Sequence, residues 1–157
     1  MINMIINTNE CIPLQKWKSA DEFKTHISEL EEHKANGDEG IWAAFDGMKN
    51  PIAKKMIGKF NRIAITFPNS TKISYICKIS KIRRNGIPKE KHLIPKHYFD
   101  DDGSIQSRKT WYFIRSIEPI KLNLDLFRQY YRKRNLPDTL RASFQYLIWL
   151  RENKRLT

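Results

Sequence analysis

The stretch that decides the fold is GIWAAFDGMKNP, residues Gly40–Pro51. Its apolar run IWAAF predicts a short buried strand. The Asn-Pro pair at its end predicts a helix start, because Asn caps helices and Pro suits the first helical position. This order places Trp42, Phe45 and Asp46 near the end of a strand, where aromatic rings and a carboxylate can converge on a flat ligand. Packing of both rings in an ordinary core explains the same pattern equally well.

Strands are predicted on the C-terminal side of this stretch, where apolar and polar residues alternate with period two. The alternation occurs in residues 62–67 and 72–82, which the turn PNST joins into a hairpin. It recurs in Lys109–Pro119, where the alternation puts Trp111, Phe113 and Ile117 on one face. These runs predict a domain built around a β-sheet.

A helix is predicted over residues 20–35, because Ser19 and Glu22 have the spacing of a capping box and apolar residues follow at helical intervals. His26 lies beside this apolar stripe. A histidine in that position is most often a partly exposed helix residue rather than a ligand. The sequence therefore predicts a helix that packs by one face.

With 157 residues the chain has the length of one domain. Residues 123–134 have a helical pattern, and a second amphipathic pattern opens near Asp138. We expect residues 1–135 to form the main domain and 136–157 a C-terminal amphipathic helix that packs on it or leads to a further domain. No apolar run of membrane-spanning length and no signal pattern occurs, so a cytoplasmic location without membrane contact is expected.

The net charge of +12 is concentrated in the middle of the chain: residues 1–48 balance to −5, residues 49–97 to +12 and residues 98–157 to +5. Such a segment attracts polyanions, and nucleic acid is the first candidate. The alternative is a solvated basic surface on a protein from an AT-rich genome, in which lysine is plentiful for reasons unrelated to binding. Such a compositional bias raises the number of acidic residues too, and residues 49–97 contain only one. The predicted phosphate-binding residues are Lys49, Lys54, Lys55, Lys81, Arg83, Arg84, Lys89 and Lys91.

Catalytic motifs are absent from the sequence, which has no GxSxG, HExxH, Walker or GxGxxG pattern and only six glycines. His97 and Asp100 resemble a base and its orienting group, but no nucleophile stands out. The acids of residues 100–102 lack the EF-hand spacing and predict a surface turn. Cys11 and Cys77 have no metal-ligand spacing and are interpreted as buried thiols. We predict a protein that is not an enzyme, with no metal site and no cofactor.

Aromatic residues are interleaved with basic ones in the predicted strands, as with Tyr75 between Lys72 and Lys78, and Trp111 beside Lys109. A base that stacks on an aromatic side chain gains about 1 to 3 kcal/mol while its phosphates meet Lys and Arg. Each ring taken singly is also typical of a sheet core. The combination with the charge distribution favours nucleic-acid binding.

Three motifs resemble known families. AFDGMKNPIAKKM is similar to the WDGVRNxxARN motif of EVE domains, with matches at Asp46, Gly47, Asn50 and Ala53 and with Phe45 in place of Trp. GIWAA resembles a strand of YTH domains, in which the Trp forms one wall of an aromatic cage. TWYFIRSIEPI resembles a later strand of both families. Both are PUA-like, and the resemblance covers about residues 2–125.

The resemblance implies the α+β class, with a PUA-like curved mixed β-sheet or small β-barrel flanked by helices and a pocket for a flipped-out, usually methylated, base. It implies that Trp42 and Phe45 are candidate pocket walls and that Asp46 and Asn50 shape the pocket lip. Further candidate walls, which the sequence does not rank, are Trp17, Tyr75, Tyr98 and Trp111. Aromatic walls suit a methylated base because its methyl group is apolar and slightly positive.

In prokaryotes such domains often form the specificity module of McrB-type modification-dependent restriction systems. The resemblance therefore implies non-catalytic recognition of modified duplex DNA, with an NTPase motor domain and a nuclease subunit as partners. Two alternatives remain open at this point. One is an RNA-binding module of the same fold that reads modified RNA, and the other, less favoured, is a small metal-dependent nuclease.

Overall fold

The computed structural model describes residues 4–6, 11–45, 61–84, 86–105, 110–124, 127–129, 144–149 and 154–156. These residues contain one α-helix, α1 (Ala20–Ala35), and two 3-10 turns, Lys91–Leu93 and Lys96–Tyr98. The strands of the described part are β1 (Met4–Ile6), β2 (Cys11–Lys16), β3 (Ile41–Phe45), β4 (Arg62–Thr66), β5 (Lys72–Arg84), β6 (Thr110–Asn123), β7 (Phe127–Gln129), β8 (Phe144–Trp149) and β9 (Lys154–Leu156).

The strands β3-β6-β5-β4-β2, in this spatial order, form a curled mixed sheet. β2 and β4 are parallel, whereas the other neighbours in this order are antiparallel. β8 and β7 extend the sheet beyond β2, and β1 pairs separately with β9. The small α+β curved-sheet class and the β4-β5 hairpin predicted from the sequence are therefore confirmed.

α1 begins and ends where the sequence predicts. The Ser19 hydroxyl accepts a hydrogen bond from the Glu22 N–H at 3.1 Å, which satisfies one of the free donors of the first turn. Gly37 follows the helix with a φ of 91°, a conformation that glycine adopts without strain. No helix in the described part of the chain is long and apolar enough to cross a membrane.

The sheet has two apolar faces. The first, which we call the helix face, packs Ile41 and Tyr112 with Phe23 and Leu30 of α1. The second, the loop face, packs Trp42 and the other outward residues of β3 and β6 against the segment 86–105, which we call the cover. Since successive residues of a strand point to opposite sides, Trp42 and its neighbour in the chain serve different cores.

Two of the three register shifts between β5 and β6 alter the predicted alternation. The register shifts between Lys78 and Ile79, and again between Ile79 and Lys81. Ile117 consequently packs against the helix-face core and not beside Trp111 on the loop face. The predicted sharing of one face by Trp111 and Ile117 is wrong, because extra residues in a ladder reverse the side-chain direction beyond them.

The C-terminal part differs from the prediction. Phe144–Trp149 is β8 and pairs antiparallel with β2, and Lys154–Leu156 is β9. The predicted C-terminal helix is therefore wrong for these residues, and so is the helical pattern at Phe127–Gln129, which is β7. FQYLIW is rich in aromatic and β-branched residues, and strand pairing satisfies the open backbone groups of β2, so tertiary pairing prevails over helical periodicity.

Candidate nucleic-acid interface

Four rings form an aromatic cluster on the loop face: Trp42, Tyr98, Trp111 and Phe113. The paired strands β3 and β6 position three of them, Trp42, Trp111 and Phe113, because Trp42 pairs with Phe113 and Ala44 pairs with Trp111. The rings of Trp42 and Phe113 are 5.2 Å apart edge to face, and those of Tyr98 and Trp111 are 5.0 Å apart. The structure thus brings together three of the residues that the sequence proposed as pocket walls.

The two indole groups of this cluster carry buried donors. Trp42 is 4% exposed and Trp111 is fully buried. Within the described part of the chain, neither Nε1–H has a hydrogen-bond partner. A buried donor without an acceptor is unfavourable by about 1 to 3 kcal/mol. The cluster therefore offers two hydrogen-bond donors to an acceptor that reaches it.

The cover closes this cluster with side chains from its irregular middle. Leu93 and Ile94 are buried against the rings. The backbone hydrogen bonds of the cover are local, as from Leu93 N–H to Glu90 and from Tyr98 N–H to Pro95. Apolar contact therefore holds much of the cover on the sheet.

The Tyr98 hydroxyl joins the cover to two other elements. It accepts a hydrogen bond from the Ala44 N–H at 3.0 Å, on the outer side of the edge strand β3. It also lies 2.8 Å from Nε2 of His26 in α1, and the two groups share a hydrogen bond. One hydroxyl thus connects cover, sheet and helix.

His26 is fully buried, so the expectation of a partly exposed histidine is wrong. Its ring lies 4.8 Å from the Trp17 ring and 4.7 Å from that of His97. Burial, and to a smaller extent the electrostatic effect of the neighbouring His97, together lower the pKa of His26 to about 3. His26 is therefore neutral at physiological pH.

Basic side chains surround the cluster. Lys81 Nζ lies 4.9 Å from the centroid of the Phe113 ring, a cation–π arrangement, and Arg83 is paired with Trp111 across the strands. Both are exposed. The cover adds three exposed lysines, Lys89, Lys91 and Lys96. The structure thus arranges four predicted phosphate-binding residues, Lys81, Arg83, Lys89 and Lys91, around the aromatic cluster.

Other predicted site residues lie elsewhere. Trp17 and Tyr75 belong to the helix face and contact Phe23, with ring centroids 5.4 and 5.2 Å from it. Phe45 pairs with Thr110 at the end of β3. Arg84 is the last residue of β5. Predicted residues outside the described part are Asp46, Asn50, Lys49, Lys54 and Lys55, and so is the predicted helix at Pro51.

Two members of the site, Phe113 and His26, were not predicted. Phe113 follows from the alternation that places it on the face of Trp111, so the pattern already contained the signal. His26 has no local signal, because its partner Tyr98 is 72 residues away in the chain. Pairing of this kind depends on the fold.

Other polar groups of the described residues are either buried without a hydrogen-bond partner, as Gln15 Oε1, Thr110 Oγ1 and Ser116 Oγ are, or form ordinary structural contacts. In the acidic turn the Asp102 carboxylate accepts hydrogen bonds from the Ser104 hydroxyl and N–H at 2.6 and 2.9 Å, which lower the pKa of Asp102. Burial raises the pKa of the Cys77 thiol. No group of three metal-ligating side chains occurs among the residues that the structure describes.

The chain matches no protein-family model, no curated protein and no solved structure. The arguments for its function therefore come from its own residues and their arrangement.

Proposed function

We propose that this chain binds DNA through the loop face and recognises a modified base, flipped out of the duplex, at the aromatic cluster. The observation that carries the proposal is the coincidence of two unpartnered buried indole donors with exposed basic side chains on the adjacent β5 and on the cover. Either feature alone has a structural explanation. Together they match what a flipped nucleotide presents, namely a flat ring with acceptors and an attached phosphate.

The phosphate part of the proposal depends on Lys81, Arg83, Lys89 and Lys91. Their side chains are exposed, and the cover between residues 86 and 98 contains one acid, Glu90. Lys and Arg on one surface release counterions from a phosphate backbone when they bind it, which makes the affinity fall steeply with salt. Binding by these residues is insensitive to the sequence of the bases.

The base part of the proposal depends on Trp42 and Trp111. An aromatic surface favours a methylated base, and each indole N–H can donate to a ring nitrogen or carbonyl of its edge. Both rings are buried beneath the cover in this structure, so a base reaches them only when the cover is displaced. This pairing of the indole donors offsets part of the free energy of unstacking the base.

A module of this kind contributes recognition and leaves strand cleavage to other subunits. We therefore retain, as part of the proposal, the PUA-like identity of the fold and a role as the specificity domain of a modification-dependent restriction system in the cytoplasm. Its partners in that role are an NTPase motor domain and a nuclease subunit. Modified RNA is the competing ligand, which the binding experiment includes.

The test is the change in modification preference when one indole donor is removed. Trp42→Phe keeps an aromatic ring and removes the N–H, and Trp17→Phe makes the same change on the helix face. Fluorescence anisotropy measures binding to duplexes that are unmodified or contain 5-methylcytosine, 5-hydroxymethylcytosine or N6-methyladenine, and to RNA with the corresponding modifications. We expect Trp42→Phe to lower the preference for the modified ligand by roughly twofold to tenfold, since a hydrogen bond contributes about 0.5 to 1.5 kcal/mol.

Trp17→Phe is expected to leave that preference intact. Equal binding of modified and unmodified ligands by the wild-type chain would contradict base recognition. A stronger preference for modified RNA would transfer the proposal to the RNA alternative.

A further inference from the structure

The cover is suited to move as a unit. Its 3-10 turns and its turn at Asp100 are held by local hydrogen bonds, such as Ile94 N–H to Lys91 and Asp100 N–H to Ser104. Because these bonds stay within the cover, it can lift from the sheet without breaking the β3-β6 ladder. The contacts that separate include the apolar packing of Leu93 and Ile94 and the two hydrogen bonds of the Tyr98 hydroxyl. They also include the ring contacts of Tyr98 with Trp111 and of His97 with His26.

The closed state carries opposing contributions. The bonds of Tyr98 to Ala44 and His26 stabilise it, and the burial of two unpartnered indole donors destabilises it. Lifting the cover reverses both contributions, because solvent or a ligand then supplies acceptors to Trp42 and Trp111. The unpartnered donors reduce the stability of the closed state, and a ligand that binds only the open state shifts the balance toward it.

We infer that the cover, residues 86–105, is a lid over the aromatic cluster and that the Tyr98 hydroxyl is its latch. The latch holds the lid simultaneously to the edge strand through Ala44 and to α1 through His26. Release of the lid exposes Trp42 and Trp111 beside Lys81 and Arg83. The lid thus sets the affinity for any ligand of the cluster, and this last step rests on the proposed function.

The test compares wild type with Tyr98→Phe, which removes the hydroxyl and keeps the ring. Hydrogen exchange of the indole Nε1–H groups, followed by NMR, reports opening over Trp42 and Trp111. The backbone amides of Ile63 and Ile65 in β4 report global unfolding. Tyr75→Phe is the matched control, because it removes a tyrosine hydroxyl on the helix face.

We expect Tyr98→Phe to accelerate exchange of both indoles by about tenfold or more, with little change at β4 and little effect of Tyr75→Phe. Tenfold corresponds to about 1.4 kcal/mol, which matches the loss of buried hydrogen bonds. Unchanged indole exchange, or equal acceleration of the indoles and β4, overturns the latch.

Addition of the preferred oligonucleotide separates the latch from the proposed function. A lid that must open predicts tighter binding by Tyr98→Phe, by up to the factor seen in exchange. Faster indole exchange without binding of any oligonucleotide by either protein supports the latch and contradicts the proposed function. Binding by the wild type, combined with unchanged exchange in Tyr98→Phe, supports the function and overturns the latch.

Discussion

The helix face and the loop face of the sheet bury comparable rows of apolar side chains but are closed by different means. A regular helix closes the first, with the Phe23 ring tilted against Tyr75 at 5.2 Å and edge-on to Phe67 at 6.0 Å. An irregular segment closes the second, above Trp42 and Trp111 with unpartnered donors. The charges are distributed differently as well: α1 has five acids and two lysines, whereas the three lysines of the cover lie in residues 86–98 with one acid, apart from its acidic turn at residues 100–102.

This difference teaches that one sheet can divide stability and binding between its faces. A helix makes its backbone hydrogen bonds internally, so it can pack its apolar face on the sheet without leaving backbone groups unpaired. A segment with local bonds over a polar, aromatic cluster is less stable and better able to open. If the chain binds nucleic acid as proposed, the acidic surface of α1 repels it while Lys81 and Arg83 attract it.

Both faces depend on strand β3, and we expect the largest loss of stability from a substitution at Gly40, which precedes it. A Cβ at this position would overlap the carbonyl oxygen of Ile114 and lie 3.1 Å from the Phe113 ring. Because backbone cannot yield as a side chain does, Gly40→Ala displaces β3, which contributes to both faces. We expect it to lower the free energy of unfolding by about 3 kcal/mol or more in chemical denaturation.

The control is Gly86→Ala, whose Cβ would meet the flexible end of Arg83 at 3.2 Å. We expect a small change for this variant. Equal stability of Gly40→Ala and wild type would show that β3 does not need its close approach to β6.

His26 connects α1 to the cover through Tyr98, and its contribution to stability can be measured through the pH dependence of unfolding. Its pKa is about 3 in the folded protein, against an ordinary value of 6.5. Between these values the unfolded chain binds more protons, so the free energy of unfolding falls as pH drops below 6.5. The contribution of His26 amounts to a loss of about 2 kcal/mol between pH 7 and pH 5, measured by denaturation at each pH.

His26→Gln is expected to remove this part of the pH dependence, whereas His33→Gln on the same helix leaves it in place. Identical pH profiles for wild type and His26→Gln would contradict the assignment of the proton uptake to the buried ring.

Substitution of Arg83 or Lys24 compares the charges of the loop face with those of α1 through the salt dependence of binding, and the expected effect is the smallest of the three. Arg83 lies beside the aromatic cluster, and Lys24 lies on α1, 3.9 Å from Asp21. If Arg83 contacts a phosphate, Arg83→Ala lowers the slope of log affinity against log salt by about 0.9 in anisotropy titrations. Lys24→Ala should leave the slope unchanged, and equal effects of the two variants would remove the distinction between the surfaces.

Local patterns in the sequence predicted much of the fold. The Ser19 cap, the hairpin of β4 and β5 and the strand at Trp42 all follow from short-range rules and are confirmed. The C-terminal strands could not be predicted in the same way. β8 forms against β2, from which it is separated by more than a hundred residues, and the pattern of its residues suits a helix as well.

The candidate site was predictable only in its components. The sequence offered eight aromatic and polar residues for the pocket and had no means of choosing among them. Trp42 pairs with Phe113 across the strands, and the cover packs the Tyr98 ring against Trp111. These tertiary contacts define the aromatic cluster. Trp17 and Tyr75 fall on the other face because of strand direction and register, which are tertiary properties.

The parallel pairing of β2 with β4 has a consequence for synthesis of the chain. Leu14 meets Ala64 some fifty residues later, and Cys11 meets Ile148 near the other end of the sequence. During translation β2 therefore leaves the ribosome well before either neighbour exists, whereas the β4-β5 hairpin can close as soon as it emerges. Contact order of this kind slows folding, so assembly of β2 onto the preformed hairpin should be the late step.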